Sequence, residues 1–194
     1  MTRNPTLTLA TVLTIGALAL AGCGSSRPQA ATTPTPTPAT VSATPTPSPT
    51  PKVTFAQAEK TYRTLDANYA ALRRAGGLKP GQKMPASITD YATGDALKTY
   101  EIFANQIWER GYRWKSGKGT ILKVEPMPLD NNHPEADFGL LSCEDGREVI
   151  SVDPDGNVSH GRLGYMKSWY VLDTDGRVKQ VARDAQEVTT CPLD

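Results

Sequence analysis

Three cysteines are the residues of this 194-residue chain whose chemistry depends most on where they stand. Cys23 closes the tetrapeptide Leu20-Ala21-Gly22-Cys23 at the end of an apolar run, while Cys143 and Cys191 lie far along the chain. A thiol can act as nucleophile, metal ligand or half of a disulfide, and its neighbours decide which. Neither Cys143 nor Cys191 has a second cysteine or a histidine at metal-ligand spacing, and the two histidines, His133 and His160, stand apart. No Gly-x-Ser-x-Gly, Ser-x-x-Lys or Gly-x-x-x-x-Gly-Lys pattern occurs. Nucleophilic-serine and phosphate-loop chemistry therefore have no carrier.

The stretch before Cys23 reads as an address. Residues 7–20 are apolar or small, preceded by the single charge of Arg3. Such a run matches a secretory segment and falls short of the roughly 20 residues that span a bilayer. Leu-Ala-Gly-Cys resembles the bacterial lipobox. That resemblance implies transfer of diacylglycerol to the Cys23 sulfur and cleavage before it, so that 1–22 is a signal peptide. It also implies a lipid-anchored protein at the extracytoplasmic face of the cell membrane. Two or more acyl chains are needed for stable anchoring, since each buried methylene contributes only ~0.8 kcal/mol. With Cys23 acylated, Cys143 and Cys191 remain as a pair in an oxidising compartment, where disulfides persist. Their bridge would stabilise by roughly 4 kcal/mol in the chain-entropy picture.

Charge excludes one class of partner. The chain has 21 basic and 20 acidic residues, and loss of Arg3 by cleavage brings the two counts level. A neutral mature protein has no electrostatic pull on nucleic acid. The basic pair Arg73-Arg74 reads as part of a solvated face.

Residues 23–52 form a tether. Between residues 32 and 51, Thr and Pro alternate with Ser and Ala. Proline fixes φ near −65° and removes donors, which favours extended polyproline II. At ~3.1 Å per residue, such a spacer holds its cargo on the order of 60–90 Å from the membrane.

Residues 53–194 are the cargo. Thr54 and Gln57 fit a capping box, and Phe55, Ala58, Tyr62, Leu65, Tyr69 and Leu72 then recur at spacings of three and four until Gly76-Gly77. That predicts a long helix with one buried face. A helical turn is expected over 88–93, and Thr93 or Asp95 caps a second main helix with a stripe of Leu97, Tyr100, Phe103/Ala104 and Ile107/Trp108, closed by Gly111. Three Asp-Gly pairs, at Asp145, Asp155 and Asp175, then punctuate runs rich in Val, Ile, Leu and aromatics. They predict hairpins between strands over 120–127, 136–143, 148–153, 157–172 and 178–190, the fourth bent at Gly161 or Gly164. Helices followed by an antiparallel meander give an α+β class.

Asp153-Pro-Asp155-Gly-Asn157 and Asp173-Thr-Asp175-Gly look like fragments of a calcium loop, but the glycine falls at position four and no closing glutamate follows. Turn formation accounts for both, and no metal or cofactor is expected. The aromatics Tyr62, Tyr69, Trp108, Trp114, Trp169 and Tyr170 remain open to two readings. They fill the helix–sheet core, or some of them (Tyr62, Tyr69, Trp108 and Trp169) line a cavity that takes a small hydrophobic ligand.

The arrangement resembles the NTF2-like superfamily, in particular the small NTF2-like lipoproteins of actinobacteria. The resemblance rests on the capped first helix, the entry Ala92-Thr-Gly-Asp-Ala-Leu97, and the pattern Ala-x-Phe-x-x-x-x-Cys-Glu-Asp from Ala136 to Asp145. Trp169-Tyr-Val-Leu-Asp-Thr-Asp-Gly-Arg-Val and the closing Cys191 complete it. It implies N-terminal helices packed on a curved antiparallel sheet, a cone with a pocket at its open end. Function does not follow from that fold. A non-catalytic surface domain binding a small ligand or an envelope partner is the favoured reading, with no catalytic residue assigned. A ketosteroid-isomerase-like or SnoaL-like enzyme is the alternative, and would need a base such as Asp66, Asp137 or Asp153. A structural accessory subunit of an envelope complex is the third.

Overall fold

Thr54 opens the first helix by the reciprocal hydrogen bonds of a capping box. Its Oγ1 accepts from the Gln57 N–H at 3.4 Å, and Gln57 Oε1 accepts from the Thr54 N–H at 2.9 Å. The computed structural model describes residues 53–193. The expected signal peptide 1–22, the expected lipid attachment at Cys23, the expected tether to residue 52, and residue 194 lie outside the described residues.

Helix α1 runs Phe55–Arg74, α2 is the single turn Ala86–Thr89, and α3 runs Gly94–Glu109. Ala58, Tyr62 and Leu65 of the α1 stripe are buried, but Phe55 is 36% exposed and Tyr69 and Leu72 are only half-covered. The stripe fades because the last turns of the helix run past the sheet that covers its middle. Gly77 then brings the chain against α3: Leu78 N–H donates to Ala104 O at 2.9 Å, and a Cβ on Gly77 would stand 2.2 Å from that same oxygen. Only glycine permits so close an approach.

In α3, Ala96, Tyr100 and Ala104 are buried, whereas Phe103 is 49% exposed. Thr93 is the N-cap, but its side chain makes no capping bond. Its N–H donates instead to Gln180 O, while Gln180 N–H donates to Tyr91 O. The chain entering α3 is thereby held as a short parallel bridge to the last strand.

Seven strands follow: β1 Arg113–Ser116, β2 Thr120–Met127, β3 Phe138–Asp145, β4 Ile150–Val152, β5 Val158–His160, β6 Leu163–Leu172 and β7 Val178–Glu187. They form two antiparallel sheets, β1-β4-β5 and β2-β3-β6-β7. The class is α+β, but the strands are not one simple meander. The β4–β5 hairpin leaves the large sheet to pair with β1, a strand the sequence did not announce because only Trp114 in it is even half-buried. The run expected over 157–172 is divided at Gly161, where a Cβ would sit 2.1 Å from Gly146 O. Asp155-Gly156 and Asp175-Gly176 make hairpins with glycine at positive φ, whereas Asp145-Gly146 links β3 to a strand of the other sheet.

Both hairpin turns close on the first aspartate of their motif. Asp153 Oδ1 accepts from the N–H groups of Asp155 and Asn157, and Asp173 Oδ1 from those of Asp175 and Arg177. The calcium-like spacing is turn chemistry.

Leu140, Ser142 and Glu144 alternate onto the face of β3 that α1 covers, as Ser168 and Tyr170 do on β6. Cys143, on the other face, is bridged to Cys191 with Cα atoms 5.9 Å apart, tying the C-terminal tail to the central strand. Among the described residues, no helix is long and apolar enough to cross a membrane. Reduction of this bridge should lower the unfolding free energy by about 2–4 kcal/mol, read by urea denaturation with and without dithiothreitol. Two reactive thiols in the untreated native protein would contradict the bridge.

Candidate functional site

The site starts from Tyr62. Its ring belongs to the apolar cluster of Val53, Ala58, Leu140 and Tyr170, so its hydroxyl must find partners inside the fold. Ser142 Oγ donates to it at 2.7 Å, and the hydroxyl donates in turn to Glu144 Oε1. Burial, followed by the Glu144 charge, pushes the Tyr62 phenol far above its ordinary range. A second tyrosine repeats the device on α3. Tyr100 Oη donates to Gln180 Oε1 at 3.0 Å, and Gln180 Nε2 donates to Ser168 Oγ at 2.8 Å.

One turn beyond Tyr62 on α1 lies Asp66, half-buried beside Glu144. Its carboxyl is raised from 3.8 to about 6, first by burial and then by the Glu144 charge, with Arg183, Arg73 and Arg74 working against the rise. Asp66 and Glu144 open into a cavity of about 410 Å³ between α1, the start of β2 and the end of β3. Ala67 and Ala70 line it along the helix, and Gly161 and Gly164 leave room opposite. Cations line it as well. Arg73 and Arg74 lie two turns on, ~10 Å along the helix axis. Both hold their guanidinium groups over the Trp114 ring, at 5.1 and 4.7 Å from its centroid. A smaller cleft of about 240 Å³ adjoins it, sharing Arg73, Trp114 and Val149 and adding Tyr112 and His160.

The four aromatics singled out in the sequence do not surround one cavity. Tyr62 lies beneath the site, in the core, and acts through Glu144. Tyr69 packs on Tyr100 with ring centroids 4.7 Å apart and lines a neighbouring cleft between α1 and α3. Trp108 is on the outer flank of α3, 5.2 Å from Lys79 Nζ. Trp169 is 4% exposed, but strand alternation turns it to the face opposite Ser168 and Tyr170, where the His133 ring covers it at 4.2 Å.

Of the three carboxylates considered as bases, only Asp66 lines a cavity. Asp137 Oδ2 accepts from the Leu172 N–H, and Asp153 is held in its turn. Sequence reasoning missed Glu144 and Arg183, held Trp114 among the aromatics that fill the core or line a cavity, and placed Arg73-Arg74 on a solvated face. The available signal was helical: Asp66, Ala70, Arg73 and Arg74 share one flank of the α1 stripe. Among the described residues, no group of three His, Cys, Asp or Glu side chains is arranged to hold a metal ion.

No family model matches the chain, and no curated protein matches its sequence.

Chemically, the cavity is lined by the carboxylates Asp66 and Glu144 and by the cations Arg73, Arg74, Lys118 and Arg162. Asp66 also gives it a proton that moves near neutrality. A carboxyl whose folded value is raised stabilises the fold fully below its unfolded value, near pH 4, and loses that contribution as pH climbs through about 6. Asp66→Asn should therefore gain stability over the parent, by on the order of 2 kcal/mol, between pH 4 and pH 8. Urea unfolding at the two pH values measures this, and parallel pH profiles would show Asp66 to be fully solvated.

Proposed function

We propose that the chain is a lipoprotein held by acylated Cys23 at the extracytoplasmic face of a cell membrane. Residues 53–194 form an NTF2-like cone that binds a small ligand without transforming it. The α+β order, the helices preceding the strands and a disulfide suited to an oxidising compartment support this reading. The observation that carries it is the charged cavity along α1, with Asp66 and Glu144 in its wall, Arg73 and Arg74 two turns further along the helix, and Lys118 and Arg162 opposite. Charged walls favour a polar ligand over the hydrophobic one expected from the aromatics. A molecule of ~10 Å bearing both donors and an acceptor or anion fits it.

The raised Asp66 carboxyl favours a second reading, an isomerase-like or SnoaL-like enzyme with Asp66 as base. Tyr62 weakens it. The one proton of its hydroxyl is given to Glu144, so that hydroxyl has none to offer an oxyanion forming on a substrate.

Native mass spectrometry of the protein from its own membrane tests the proposal. Cys23→Ser should release the protein into the soluble fraction. The parent should carry a small-molecule mass that Asp66→Asn or Arg74→Gln loses. Retention of Cys23→Ser on the membrane would overturn the anchor. A stoichiometric protein in place of the small mass would make this an accessory subunit.

A further inference from the structure

We propose that the cleft where α1, α3 and β7 converge is a binding site for an oxyanion, a carboxylate or a phosphate. The cleft is about 310 Å³, separate from the acidic end of the larger cavity, and three arginines line it: Arg73, Arg110 and Arg183. Tyr69, Tyr112 and Gln106 complete its polar lining.

Arg183 carries the argument. It sits on the helix-facing side of β7, largely covered, beneath the Tyr100 ring at 4.7 Å. Among the described residues it forms no ion pair, and its one hydrogen bond is to the thioether of Met166 at 3.9 Å. Asp66 and Glu144 feel its charge, but neither comes within ion-pair distance. A covered guanidinium with most of its donors unspent is costly, and proteins normally supply it with an acid.

Elsewhere this chain does so. Arg63 meets Glu59, Arg147 meets Asp145, Arg162 meets Glu187, and Arg177 meets Asp90, Asp173 and Asp175. Arg73, Arg74, Arg110, Arg113 and Arg183 have no such partner among the described residues, and three of them, Arg73, Arg110 and Arg183, line this one cleft. Tyr69, at the wall of the cleft, has a buried hydroxyl without a hydrogen-bond partner among the described residues. Burial keeps the proton on that phenol, raising it to about 12. Guanidinium forks are donors without an acceptor, a protonated phenol has an O–H to give, and a ligand that satisfies both is an oxyanion. Phe103, half-exposed at the rim, gives the body of such a ligand an apolar surface to rest on.

The test is calorimetric titration of the full mature protein with two probes, inorganic phosphate and benzoate. Saturable binding of either one is expected, and the stronger of the two says which oxyanion the cleft prefers. Arg110→Gln, at an exposed position that leaves the fold intact, should weaken it about tenfold or more, the loss of one charge-assisted hydrogen bond. Arg183→Gln should do the same or worse. Arg74→Gln, which lines only the larger cavity, should leave it unchanged, so this site stands or falls apart from the ligand proposed there. No binding of either probe at millimolar concentration overturns the proposal, as does binding that Arg110→Gln leaves intact.

Discussion

A buried tyrosine hydroxyl held by two partners sets the geometry of this domain. Tyr62 contributes its ring to the core between α1 and the large sheet, and its hydroxyl is satisfied only where Ser142 and Glu144 stand two residues apart on β3. A slip of α1 by one turn would bury the phenol against apolar side chains, at a cost of about 1–3 kcal/mol for the unmade hydrogen bond. Tyr100 imposes the same condition on α3 through Gln180 and Ser168. Two helices are thus pinned on one face of one sheet, each by a residue that is apolar along its length and polar at its tip.

What lies beyond the pins follows from them. With α1 fixed at Tyr62, its last turns run past the apolar part of the sheet, and Asp66, Ala70, Arg73 and Arg74 border a cavity rather than a core. Burial raises the Asp66 carboxyl to about 6, and the charge of Glu144, kept close by its bond to Tyr62, adds to the rise. Small side chains on α1 and at the β5–β6 bend keep the cavity open.

How much of this could be read from the residues depended on whether the signal was local. The Thr54 capping box, the extents of α1 and α3, the hairpins at Asp155 and Asp175 and the pairing of Cys143 with Cys191 all come from short-range chemistry or from elimination, and each appears in the structure. The break at Gly161 was also signalled, since a glycine inside a strand marks a close backbone approach. Strand β1 was not, because a short polar ribbon with one half-buried tryptophan has no period to detect. Arg73-Arg74 and Arg183 were passed over for a different reason. A charge in a sequence looks solvated until the topology shows what it faces. Trp169 was misplaced by one pleat: its type suggested burial, correctly, but only the register reveals which face of the sheet it is buried on.

The claim on which the account rests is that the Tyr62 hydroxyl and Glu144 form one coupled unit holding α1 to the sheet. A double-mutant cycle with Tyr62→Phe and Glu144→Gln, read by urea unfolding at pH 7, measures that coupling directly. The account predicts an interaction energy of about 1–3 kcal/mol, with the double variant far less damaged than the sum of the single ones. Additivity to within about 0.5 kcal/mol would mean that the two groups act independently, and that something other than this hydrogen bond sets the position of the helix.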